Sequence, residues 1–154
     1  MKLNENNDFM LEAIKEADIA INNKTGGPFG SVIVKDGKIV GRGHNQVVQN
    51  KDATCHGEIM AIKDASKNLN TFDLKGCSIY TTAYPCPMCL GAILWANIDY
   101  IYYGCDVNDS QKIGFRDKVF YEKMQDKSRF IEVGKKDCQE LFKRYENSKG
   151  KTNY

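Results

Sequence analysis

Residues 31–43 read SVIVKDGKIVGRG, two runs rich in β-branched residues (Ser31 to Lys35, Lys38 to Gly43) parted by Asp36-Gly37. Asp-Gly readily takes the left-handed backbone that a two-residue turn needs, so this stretch predicts an antiparallel hairpin. Upstream, Met10, Ile14, Ala17 and Ile21 recur at intervals of three and four within residues 7–21. That spacing predicts a helix with this stripe facing a core, ended by Thr25-Gly26-Gly27-Pro28. Downstream, Ile59, Ile62, Ala65 and Leu69 predict a second helix from Glu58. Cys77 to Thr82 reads as a strand, Pro87 to Ala96 as a short helix, and Tyr100 to Gly104 as another strand. The last third predicts a helix near Val119 to Met124, a short strand at Phe130 to Val133 and a helix from about Lys136 to Ser148. A helix and a hairpin followed by alternating helix and strand imply a mixed sheet with parallel members and helices on both faces. The expected fold is α/β, a three-layer α/β/α sandwich with a mixed five-stranded sheet. No linker or shift of composition divides the 154 residues, so one domain is expected over 1–154.

Composition narrows the function classes. Twenty-two basic against twenty acidic residues leave +2, too small a balance to point to a polyanion, and a nucleic-acid partner is not expected. The most apolar stretch, Leu90 to Ile98, is half the length that spans a bilayer, so no membrane partner is expected. MKLNENNDFM lacks the apolar region of a secretory signal, which predicts a cytoplasmic protein. The six cysteines are then expected as thiols, available to a metal.

Two short pieces carry the chemistry: His56-Gly57-Glu58 and Pro85-Cys86-Pro87-Met88-Cys89, each opening a predicted helix. His56, Cys86 and Cys89 supply one imidazole and two thiolates, a donor set that favours zinc. Three protein ligands leave a fourth tetrahedral position for water, as in a catalytic site with one zinc per chain. The start of a helix favours thiolate over thiol, and Pro87 suits the first helical turn. Glu58, outside the metal shell, is placed to collect the proton of an activated water and return it to a ring nitrogen and a departing amine. Taken singly, each piece has a plainer reading. A C-x-x-C pair can be redox-active or structural, His56 a satisfied core residue, and Glu58 a solvated helix residue. A redox pair would leave His56 and Glu58 idle, and a structural zinc site wants a fourth ligand at close spacing. Cys55, Cys77, Cys105 and Cys138 are expected to be packing residues.

The order H-x-E followed by P-C-x-x-C is that of zinc deaminases of nucleobases. Together with Gly26-Gly27-Pro28-Phe29-Gly30, the hairpin and Cys89-Leu90-Gly91-Ala92-Ile93, it makes the chain resemble the cytidine and deoxycytidylate deaminase superfamily over most of its length. Within that superfamily the chain is most similar to the small bacterial guanine deaminases, through Gly114-Phe115-Arg116-Asp117, the aromatic-rich run after it and the terminal Tyr154. The resemblance implies hydrolysis of guanine to xanthine and ammonia, a place in purine metabolism. It implies Asp117 as a substrate-side carboxylate with a catalytic part, Asn45 as a hydrogen-bonding contact to the purine, and Phe29 as a pocket wall. It also implies a homodimer in which the segment from about 136 to 154 crosses to the partner and brings Tyr154 to the partner's substrate.

Three positions depart from that family's pattern: Gly57 for an Ala, Tyr84 for a Glu before the Pro-Cys pair, and Arg116 for an acidic residue, expected to alter the charge beside Asp117. They leave room for a nucleoside or cytosine substrate (guanosine, cytidine) or for adenosine in transfer RNA. The stretch carries Lys135, Lys136, Lys143, Arg144, Lys149 and Lys151 beside Asp137, Glu140 and Glu146, and such mixed charge reads as a solvated helix face and not as an RNA surface. A reading from another class, a non-enzymatic zinc-stabilised scaffold, would leave Glu58 without a task.

Overall fold

A computed structural model describes residues 3–154 of the chain. The order of elements is α1 (Leu3–Asn23), β1 (Gly30–Lys35), β2 (Lys38–His44), α2 (Val47–Asn50), α3 (Gly57–Leu69), β3 (Cys77–Ala83), α4 (Pro87–Trp95), β4 (Tyr100–Cys105), α5 (Val107–Lys112), α6 (Asp117–Lys123) and α7 (Lys135–Glu146). The hairpin forms as its sequence dictates: Asp36 and Gly37 both take positive φ, 49° and 75°, the backbone of a tight turn that matches strand twist. The strands lie in the order β2-β1-β3-β4. β1 runs antiparallel to β2 and β3, and β3 pairs parallel with β4 across the α4 crossover.

Helices cover both faces of the sheet, giving the three layers expected. On one face Ile33 and Ile79 pack with Ala61 and Ala65 of α3 and Ile93 of α4. On the other, Val32, Val34 and Tyr80 pack with Ala13, Phe9 and Met10 of α1. Contact between layers is made by small residues. A Cβ on Gly30 would stand 2.2 Å from the Ala13 carbonyl, and one on Gly43 would stand 2.3 Å from the Ala61 nitrogen. This close approach decides which stripe of α1 faces inward. Of the expected stripe, Ala17 is buried and Met10 packs against the core, while Ile14 and Ile21 are exposed and Ala13 and Ala20 are buried in their place. In α3 likewise Gly57, Ala61 and Ala65 are buried, and Ile62 and Leu69 pack beside them.

Two further expectations are corrected. The sheet has four strands among the described residues, because Phe130 to Val133 forms none. Phe130, Ile131 and Val133 are exposed and have no ladder partner, without which strand propensity is not expressed. Cys55 and Cys77 are buried as expected, but Cys105 and Cys138 are exposed and pack into no core. The short helix α5 was not predicted; a reciprocal capping box between Asp106 and Asp109 starts it. Among the described residues no helix is long and apolar enough to cross a membrane.

Candidate active site

The chain places its reactive groups at two helix starts. His56 is the N-cap of α3 and Cys86 the N-cap of α4, both in extended backbone, and Pro87 occupies the first turn of α4. The ligating atoms of His56, Cys86 and Cys89 lie within 4.8 Å of one another, and Cys86 Sγ is 3.6 Å from His56 Nδ1. A tetrahedral zinc with bonds of about 2.0 Å to nitrogen and about 2.3 Å to sulfur needs donors roughly 3.5–3.8 Å apart. The donor set fits zinc, and the Cys86–His56 separation falls in that range. Hydrogen bonding from Cys89, with a further contribution from His56, holds the Cys86 thiol down at about 4 against its burial. The same hydrogen bond to Cys86 pushes Cys89 up, and bonding to Cys86 also raises His56.

Glu58, in the first turn of α3, is buried, and burial raises its carboxyl. Asp117, the first residue of α6, is partly buried; burial is the main cause of its raised carboxyl and the charge of Cys86 the next. The structure thus sets a second carboxyl within electrostatic reach of the cluster, from a different part of the chain. Asn45 is buried, and its Oδ1 accepts from the Val47 N–H at 3.0 Å. Its backbone N–H donates to the Phe29 carbonyl at 2.9 Å. Gly26 makes this possible, since a Cβ there would come within 2.0 Å of Asn45 Oδ1. Phe29 meets Phe115 edge to face at 4.7 Å, so the Gly26 to Gly30 loop and the segment before α6 touch.

Tyr154 stands apart from this group. Its ring lies 5.9 Å from Phe72 and 5.8 Å from Trp95. Trp95 ends α4 and Phe72 follows α3, so Tyr154 sits at the opposite ends of both helices from His56 and Cys86.

The three departures now have positions. A Cβ on Gly57 would be 3.1 Å from the Phe29 carbonyl, so an alanine needs only a small adjustment there. Arg116 lies over the Phe120 ring at 4.9 Å, and it is not among the groups that shift Asp117. Tyr84 does not reach into the metal cluster; its ring packs on Tyr103 at 5.1 Å and faces Tyr121 at 6.2 Å.

Tyr121 is the residue that sequence reasoning passed over. Its hydroxyl donates to the Pro85 carbonyl, directly before Cys86, and burial pushes its phenol up to about 12. Its spacing of four from Asp117 was the available signal, since such residues share one helix face.

Residues 3–105 match the family model of the cytidine and deoxycytidylate deaminase zinc-binding region. Guanine deaminase of Bacillus subtilis (strain 168) is 42% identical over 116 residues, 75% of this chain and 74% of that one. A tRNA-specific adenosine deaminase of Streptococcus pyogenes serotype M18 is 41% identical over 118 residues, 77% of this chain and 72% of that one. Among solved structures, the X-ray structure of the Bacillus subtilis guanine deaminase superposes with a TM-score of 0.92 at 36% identity, covering 100% of this chain and 99% of that chain. A structure from a study of tRNA:A34 deaminases superposes with a TM-score of 0.63 at 37% identity, over 65% of this chain and 72% of that chain. With its zinc-type donor triad at two helix starts, this chain belongs to the cytidine and deoxycytidylate deaminase family and is a hydrolytic deaminase.

Proposed function

We propose that the chain hydrolyses guanine to xanthine and ammonia with one zinc held by His56, Cys86 and Cys89. The supporting observation is the reach of the similarity. The guanine deaminase structure superposes along the whole chain, whereas the tRNA deaminase structure covers 65% of it. Zinc in that triad would activate a water for attack at neutral pH. Glu58 would take up the proton of the attacking water and pass it to the ring nitrogen beside the amine-bearing carbon, then take the proton of the added hydroxyl and pass it to the amine, which departs as ammonia. Its raised carboxyl suits a group that must both accept and donate. Asp117 faces the ring from the other side and hydrogen-bonds its N–H groups. Asn45 offers its Nδ2 amino group to a purine acceptor, and Phe29 lines the pocket.

The working form in this proposal is a cytoplasmic homodimer, with all six cysteines free in a reducing compartment. Residues 136–154 cross to the second copy, and Tyr154 closes the partner's pocket. In support, α7 buries no residue of its own, its Leu141 and Phe142 face outward, and Tyr154 lies away from the cluster of its own chain.

The test is ammonia release from guanine, guanosine, adenine, cytosine, cytidine and an adenosine-containing tRNA stem-loop, by the zinc-loaded protein and its Glu58→Gln variant. Turnover of guanine alone, lost in the variant with zinc retained, is the expected result. Turnover of the stem-loop in its place would move the substrate to RNA, in line with the Streptococcus pyogenes relative. Unchanged turnover in the variant would remove Glu58 from the mechanism.

A further inference from the structure

The helix that carries Asp117 has little to hold it. α6 contains no buried residue, yet its first side chain must keep a fixed distance from Cys86 if Asp117 is to face a ring bound beside the metal. Among the contacts that tie this segment to the core, two lie on either side of Asp117. Before the helix, Phe115 meets Phe29 edge to face. Within it, the Tyr121 hydroxyl donates to the Pro85 carbonyl. Pro85 is fully buried, and a buried carbonyl left without a donor is costly, so this bond has a strong preference to form. Asp117 and Tyr121 are four residues apart and lie one above the other on the same face. The Tyr84 ring, itself packed on Tyr103, backs the Tyr121 ring.

From this geometry we infer that Tyr121 is a positioning residue: its hydrogen bond to the carbonyl just before Cys86 sets the distance between the Asp117 carboxylate and the metal ligands. The inference rests on the reading of Asp117 as the substrate-side carboxylate. It gives Tyr84 a task as well, since an aromatic ring at that position supports the phenol where the family's usual acidic residue could not stack.

A double-mutant cycle on the zinc-loaded protein tests it. Tyr121→Phe keeps the ring and removes only the hydroxyl. It is expected to lower kcat for guanine about tenfold, with zinc content unchanged, a modest fall in Tm from the orphaned Pro85 carbonyl and faster hydrogen exchange across residues 117–123. In an Asp117→Asn background the same change should cost less than about twofold, because the two residues act as one unit. An equal loss in both backgrounds overturns the inference, as does wild-type turnover of Tyr121→Phe, unaltered exchange in α6, or loss of zinc from that variant. Asp117→Asn with wild-type turnover would instead remove the reading of Asp117 itself, and the inference with it.

Discussion

Residues 3–105 and residues 106–154 are built on different principles. The first part buries two hydrophobic clusters, one on each face of a sheet, and presses glycine and alanine together where its helices cross the strands. From Arg116 onward no residue is buried within the chain, and Phe130, Ile131, Val133 and Phe142 are all exposed. The first part also matches the family model and contains the zinc-type triad. In the proposed reading, a rigid core holds the reactive water and proton shuttle, and a lightly attached C-terminal third selects the ring.

The division can be broken at its chemical centre first. Glu58→Gln should lower guanine turnover by about a thousandfold while zinc content stays at the wild-type level; a tenfold loss or less would show that proton transfer runs through another group. Asp117→Asn comes next, with a loss of about a hundredfold in kcat/KM for guanine and no change in Tm, read from initial rates and a thermal melt.

Two glycines compare the regions in stability. Gly43→Ala forces a Cβ to within 2.3 Å of the Ala61 backbone and should cost about 2–4 kcal/mol in denaturant unfolding. Gly134→Ala meets nothing within 4 Å and is opposed only by its φ of 68°, a cost of about 1 kcal/mol. Equal costs would mean that the C-terminal third is as tightly built as the core. The smallest effect on chain stability is expected from Phe142→Ser, below about 0.5 kcal/mol for the single chain. If the segment crosses to a partner, that same change should shift the protein toward monomer in sedimentation.

Legibility in the sequence followed the same boundary. Asp36-Gly37 and the runs around it determine their own turn, and His56, Glu58, Cys86 and Cys89 have few alternative uses once they occur at those spacings. Those features could be read locally. The inward face of α1 could be read only in part: Met10 and Ala17 face the core, but Gly30 admits the helix so closely that Ala13 and Ala20 take the place of Ile14 and Ile21. Phe130 to Val133 has strand-forming residues, but strand formation requires a neighbour, which no local pattern records. Tyr121 was hidden for a related reason: its partner is a backbone carbonyl 36 residues earlier, and carbonyls leave no trace in composition. Likewise, Tyr84 and Arg116 stand next to functional residues in sequence, yet both side chains turn to aromatic neighbours.

The division of labour is tested most directly by removing residues 135–154 and measuring ammonia release from guanine beside the intact protein. Zinc content and the circular dichroism of the core should persist in the shortened chain, while guanine turnover should be lost. Turnover retained at the intact protein's rate would show that residues 135–154 are not needed to recognise the ring and contradict the crossing of that segment to the partner's pocket.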